Sequence, residues 1–227
     1  TEDDFHDLEA VGDQARKVYD TADAGIWEFR GKEQVHTSSA IMCWAACDRL
    51  ARIAARLEKP ERKTHWRKRA DKIHARILDK AYNKDMNAFT AAYGGDTLDA
   101  SVLLMAEIGF IEPADPRYIG TVEAIDKELR VGNFVYRYKT EDDFGKPETT
   151  FTACTFWFID ALHRIGRTED ARNMFEAVLN SRNHLGLMSE DLDPETGEMW
   201  GNFPQTYSLV GIINSANLLS ENWADVV

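Results

Sequence analysis

Residues 148–180 read ETTFTACTFWFIDALHRIGRTEDARNMFEAVLN. An uncharged, apolar-rich run near 149–159 leads to Gly166, and Thr168 opens a second periodic segment. Glycine ends a helix because it enters the left-handed conformation without steric penalty, and a hydroxyl side chain caps the next one. The stretch therefore predicts two helices, 148–165 and 168–180, joined through Gly166-Arg167 as an α-hairpin. The apolar run is too short to cross a bilayer and contains Thr and Cys, so neither a transmembrane helix nor a membrane partner is expected.

The same punctuation recurs outward along the chain. A helix near 3–20 carries Phe5, Leu8, Val11, Ala15 and Val18 on one side. Others are expected near 37–58, opened by Thr37 or Ser38, and near 60–81, with Pro60 in the first turn. Gly109 stops one near 95–108, and Asp115-Pro116 caps one near 116–129. The last, near 203–220, follows Asn202-Phe203-Pro204-Gln205, which has the spacing of a capping box. Period-two alternation is nowhere sustained, though short strand pairs fit around 86–92 and 132–139. The fold class is all-α: successive antiparallel hairpins in a single all-α domain over 1–227.

Composition narrows the function classes. Apolar residues make up 44% and charged residues 29%, ordinary for a globular chain and unlike a disordered one. The net charge of −12 disfavours nucleic acid as a partner, because the bulk field repels phosphates. Residues 49–80 run against this trend, with 12 basic side chains and four acidic ones. They form either an anion or RNA patch or the solvated face of two helices. Leu50, Ile53, Ala54 and Leu57, then Trp66, Ala70, Ile73 and Ile77, recur at helical spacing and favour the second reading. Three cysteines do not make a disulfide scaffold, and TEDDFHDLEA is no signal peptide, so a bacterial cytoplasmic location is expected.

Short links such as Gly166-Arg167 and Lys59-Pro60 alternate with long stretches at 21–36, 82–95, 130–147 and 182–202. In a ring of hairpins this alternation puts the long loops on one face, where a site would form. Three of them hold chemistry. Gly25-Ile26-Trp27-Glu28 sets an indole, which stacks on a pyranose, beside a carboxyl that can serve a glycosidic oxygen. Alone, the motif reads more readily as a packed loop tryptophan and a surface glutamate. Arg137 in Tyr136-Arg137-Tyr138 can fork onto sugar hydroxyls or pair with neighbouring acids. Glu190 precedes Asp193-Pro194-Glu195-Thr196-Gly197, a tight turn, and is a candidate base.

Other motifs fail. Asp143-Phe144-Gly145 lacks every other kinase signature, and the acids of 186–198 miss the EF-hand register. Cys43 and Cys47 have no histidine at zinc-ligand spacing, and no phosphate loop or dinucleotide fingerprint occurs. No metal and no cofactor is expected.

Taken together, four stretches resemble glycoside hydrolase family 15, the family of glucoamylases, glucodextranases and bacterial trehalases. They are Gly25 to Glu28; Ser39 to Arg49; Tyr136 to Tyr138 with Phe151 to Trp157; and Ser189-Glu190 through Gly201-Asn202-Phe203-Pro204-Gln205. The resemblance covers nearly the whole chain and implies an α/α-hairpin toroid. It implies an inverting hydrolase that releases glucose from non-reducing ends, with Glu28 as general acid and Glu190 as general base. Trp27, Arg137, Tyr138, Glu148 and Gln205 are implied to bind substrate: an α-glucan, an isomaltooligosaccharide or trehalose. Thr149-Thr150 stands where the family often has Gly before the residue matching Phe151, which loosens the match at Glu148. The family's barrel has six hairpins, and its early half supplies an Arg-Asp pair. About four hairpins fit here without that pair, so the chain is expected to be the C-terminal two-thirds of a barrel, with self-association through its exposed edge. The alternative is a truncated or degenerate hairpin scaffold that binds carbohydrate or a protein partner without catalysis.

Overall fold

Pro60 opens a helix whose buried stripe is Trp66, Ala70, Ile73 and Ile77, the spacing of a single apolar face. The computed structural model describes residues 2–31 and 33–220. Its helices are α1 (Glu2–Val18), α2 (Thr37–Arg56), α3 (Pro60–Lys80), α4 (Leu104–Glu107), α5 (Pro116–Glu128), α6 (Thr152–Arg164), α7 (Thr168–Leu179) and α8 (Thr206–Leu219). Helix α6 buries ten of its residues, among them Cys154, Phe156, Phe158, Ile159 and Leu162. A helix buried on nearly all sides is an inner one. Helix α7, with Ala171, Met174 and Val178 buried, shows a one-sided stripe and packs outside it. Helices α2 and α3 pair in the same way, and α8 lies against α6.

The short strands are β1 (Tyr82–Asn83), β2 (Ala88–Phe89), β3 (Arg130–Val131), β4 (Phe134–Val135), β5 (Thr150–Phe151), β6 (Asp191–Leu192) and β7 (Met199–Trp200). The hairpins β1-β2 and β3-β4 overlap the stretches near 86–92 and 132–139 where strand pairs were expected, but each begins earlier, at Tyr82 and Arg130. The antiparallel sheet β5-β6-β7 was not foreseen, and it shortens the helix expected from 148. Thr150 pairs with Leu192 and Phe151 with Asp191, so α6 begins only at Thr152.

Two further boundaries moved for identifiable reasons. Asp99 is extended at φ −142° and accepts from the Ser101 N–H, so helical geometry starts at Ala100 as a 3₁₀ turn and only Leu104–Glu107 is α. The capping box at Asn202–Gln205 does not form. Gln205 is the residue before α8, and the side chains of Asn202 and Gln205 both turn to Glu190. His36 and Arg167, without side-chain caps, precede α2 and α7 in place of the expected hydroxyl residues. Asp115 does cap α5, accepting from the Arg117 N–H at 2.9 Å.

Part of the basic stretch is paired locally. Asp48, 2% exposed at its side chain, receives Arg49 and Arg52 at 2.8 Å each, and Arg67 as well. Burial works against its charge, but the bonds from Arg67 and Arg49 prevail and hold its carboxyl below the usual range. Glu9 takes Arg62 at 2.6 Å and the Trp66 indole N–H at 2.7 Å, and Asp20 pairs with Arg76 at 3.0 Å. Among the described residues, no helix is long and apolar enough to cross a membrane.

Candidate active site

The loop after α1 is knotted by Asp23, whose carboxylate accepts from the Gly25 N–H at 2.6 Å and the Ser39 hydroxyl at 3.1 Å. Gly25 sits at φ +70° with its α-carbon against the His36 ring, where a β-carbon would come within 3.0 Å. Glu28 has φ +56°, a left-handed conformation that is rare without glycine and costs of order 1–3 kcal/mol. The turn is closed by Phe29 N–H donating to the Ala24 carbonyl at 2.9 Å. Strain of this kind is maintained by surrounding contacts, and here they converge on Trp27. Its ring lies 5.4 Å from Phe151, 6.1 Å from Tyr138 and 6.2 Å from Trp157.

Arg137 lies against the same aromatic group, its guanidinium 6.0 Å from the Trp27 ring centre, 5.3 Å from Tyr138 and 5.9 Å from Phe151. These cation–π contacts hold the guanidinium against the aromatic group.

Glu190 stands immediately before β6. Its peptide N–H donates to the Asn202 carbonyl, and its own carbonyl accepts from the Thr152 N–H, both at 2.9 Å. Its carboxylate receives the Asn202 side-chain amide at 2.9 Å, the Asn202 peptide N–H at 3.2 Å and the Gln205 side-chain amide at 3.1 Å. Gly201 makes this approach possible: a β-carbon there would lie 2.9 Å from Glu190 Oε2.

Trp27, Glu28, Arg137 and Glu190 line one cavity of about 640 Å³, together with Phe151, Trp157, Asp160, Tyr207 and Asn214. Three of the four long loops thus meet at one cleft. Asp160 forms part of its wall from α6. Burial pushes its carboxyl up to about 6, against the Ser215 hydroxyl that donates to it at 2.6 Å. Asp191, next to Glu190, is also raised by burial, while the Thr149 hydroxyl at 2.8 Å and the nearby Arg137 charge oppose the rise.

Three residues named from sequence do not line the cleft. Tyr138 is buried, donates to Asp142 at 2.6 Å, and faces a separate cavity of about 400 Å³. Glu148 is exposed, and its carbonyl accepts from the Tyr136 hydroxyl at 3.5 Å. Gln205 reaches the cleft only through Glu190. Trp157, Asp160 and Tyr207 had not been singled out as site residues, because a Trp or Asp inside an apolar helix reads as core or as chance polarity. Among the described residues, no group of three or more His, Cys, Asp or Glu is placed to hold a metal ion.

Comparison with known proteins gives the family. A family model described as glycosyl hydrolases family 15 matches residues 9–217. A trehalase of Thermoplasma volcanium is 35% identical over 215 residues, covering 94% of this chain and 34% of that protein. A trehalase of Mycobacterium tuberculosis is 40% identical over 206 residues, 89% of this chain and 30% of that one. The chain therefore spans about a third of the length of the curated relatives it matches. Among solved structures, a bacterial glucoamylase complexed with acarbose superposes with a TM-score of 0.77 at 16% identity, covering 93% of this chain and 37% of that one. A Hypocrea jecorina glucoamylase gives 0.70 at 11% identity, over 95% of this chain and 46% of that one. At these identities the likeness establishes the fold, a partial α/α-hairpin toroid. A family match that runs from α1 into α8, over the same loops that build the cleft, leaves one conclusion: the chain belongs to glycosyl hydrolases family 15.

Proposed function

We propose that this chain carries the acid and base of an inverting α-glucoside hydrolase, with Glu28 as general acid and Glu190 as general base. The observation that carries the reading is that these two carboxyls, from loops far apart in sequence, line one cavity with an indole and an arginine in contact with it. Glu28 gives its proton to the glycosidic oxygen as the bond to the anomeric carbon breaks. A water attacks that carbon from the opposite face, and Glu190 takes its proton. The N–H donors on Glu190 aim its carboxylate, and Arg137 holds the sugar hydroxyls. Trp27 offers an apolar ring to the pyranose.

Trehalose is the favoured substrate, because relatives at 35% and 40% identity are trehalases. Residues 1–227 act as a single all-α unit that forms the later hairpins of the barrel; one buried cluster running from Phe5 to Leu219 supports this.

The test is proton NMR of the first-formed sugar from trehalose, with maltose and isomaltose as comparators. Inversion releases one of the two glucose units of trehalose as the β anomer. Glu28→Gln and Glu190→Gln each lower kcat by about 10²–10⁴-fold. Near-normal turnover in either variant removes that assignment. A second reading, a carbohydrate-binding scaffold without catalysis, draws on the exposed Tyr207 and Val210 beside the cleft. Saturable trehalose binding with no glucose released would favour it.

A further inference from the structure

We infer that Asp99 is the positioning residue of the acid-bearing loop, holding Glu28 in place through the Trp27 indole. The inference rests on the role proposed for Glu28 and concerns a residue outside the cleft.

Asp99 is buried at 5% exposure, and both of its oxygens are engaged on different tasks. Oδ1 accepts from the Ser101 peptide N–H at 2.8 Å and from the Ser101 hydroxyl at 2.6 Å, which caps the 3₁₀ turn before α4. Oδ2 accepts from the Trp27 indole N–H at 2.7 Å, across 72 residues of sequence. The next peptide, at Ala100, donates to the Arg137 carbonyl at 2.9 Å. Two adjacent residues thus hold one side chain of the cleft and the backbone of another.

Capping alone does not call for a carboxylate. A neutral Asn or Ser caps equally well and avoids placing a charge in the interior. Burial pushes the Asp99 carboxyl up, and the bonds from Ser101 and Trp27 counter it. The oxygen that the cap does not use is the one that serves Trp27.

That bond does what the aromatic contacts cannot. Ring packing against Phe151, Trp157 and Tyr138 resists displacement of the indole but fixes its rotation weakly. A hydrogen bond to a buried carboxylate is directional and fixes the ring plane. Glu28 follows in the chain at φ +56°, a conformation that relaxes when its supports are released. Freeing the indole therefore lets the acid leave its aim while the pocket stays formed.

Asp99→Asn separates these roles. Its single acceptor oxygen stays with Ser101, which leaves the amide NH₂ facing the indole N–H, donor against donor. The expected result is a fall in kcat of about 10–100-fold with KM changed less than about threefold, the effect of a misplaced catalytic group. Trp27→Phe removes the same bond from its other end. In that background Asp99→Asn changes kcat by less than about twofold, since coupled residues are not additive. Additive losses, or an unchanged kcat in Asp99→Asn, overturn the inference. Amide and indole NMR provides a readout independent of turnover. In Asp99→Asn the Trp27 indole N–H and the Glu28 amide resonances both move. If only residues 99–103 move, Asp99 is a helix cap and nothing more. A wild-type chain that releases no glucose would sink the proposed function, while these resonances would still decide the role of Asp99.

Discussion

Asn202 and Glu190 are joined by three hydrogen bonds: the Asn202 side-chain amide and peptide N–H donate to the Glu190 carboxylate at 2.9 Å and 3.2 Å, and the Glu190 peptide N–H donates to the Asn202 carbonyl at 2.9 Å. The backbone bond sets the separation of the two strands, and the side-chain bond aims the carboxylate across it. Asn202→Ala removes the side-chain bond and leaves both main-chain bonds. The expected outcome is a fall in kcat of about tenfold on trehalose, with the melting temperature nearly unchanged, because a solvent-exposed hydrogen bond contributes little net stability. Steady-state kinetics beside a thermal melt checks both halves. A large loss of stability with intact turnover would mean that the bond is structural.

Gly201→Ala attacks the same carboxylate through the backbone. Gly201 has φ +75°, and an added β-carbon would lie 2.9 Å from Glu190 Oε2 and 3.1 Å from its β-carbon. The strand must shift or Glu190 must turn, so kcat falls more than in Asn202→Ala. Left-handed strain adds a stability loss of about 1 kcal/mol, measurable by urea unfolding. Wild-type kinetics in this variant would mean that Glu190 tolerates displacement, contrary to a base role.

The helices were legible because glycine, proline and apolar spacing are local signals. Gly166 ends α6 within two residues of its last turn, and Asp115 caps α5 as its spacing implied. Short strands were legible only where the hairpin is local. Sheet β5-β6-β7 joins Thr150 to Leu192, a pairing fixed by tertiary packing, and no local pattern announces it. The cleft was read in the same uneven way. Trp27, Glu28, Arg137 and Glu190 sit in loops, where polar and aromatic residues stand out. Asp160 and Trp157 sit on α6, where the apolar majority hides them. The apparent capping box failed because Asn202 and Gln205 spend their amides on Glu190, a partner the helix-start rule does not include. Charge counting also overstated the basic stretch, since Asp48, Glu9 and Asp20 answer it from within or across helices.

Two helices at opposite ends of the chain keep apolar faces uncovered. Leu8 and Val11 on α1 are 45% and 62% exposed, and Tyr207 and Ile213 on α8 are 69% and 59% exposed. Faces of this kind pair when they can, and a second copy of the chain is the expected occupant. Light scattering should then give a mass above the monomer that rises with concentration. Val11→Lys combined with Ile213→Lys should return it to the monomer. A single monomeric species at all concentrations in the wild-type chain rejects self-association.

Asp160 makes stability depend on pH in a direction opposite to that of a salt-bridged acid. Burial disfavours the charge and pushes its folded carboxyl up to about 6, above the ordinary aspartate value of about 4. Between those values the folded chain holds a proton that the unfolded chain has released. Its contribution is therefore fully present below about pH 4, declines as pH rises through 6, and is absent above that. A shift of this size corresponds to about 2–3 kcal/mol of lost stability at neutral pH. Asp160→Asn keeps an oxygen for the Ser215 hydroxyl and carries no charge. The variant should match the wild type near pH 4 and exceed it at pH 7, in urea unfolding measured at both. A variant less stable than the wild type at pH 7 would mean that ionised Asp160 has a stabilising partner in the cleft, and that the buried acid belongs to the substrate-binding machinery and not to a tolerated strain in the core.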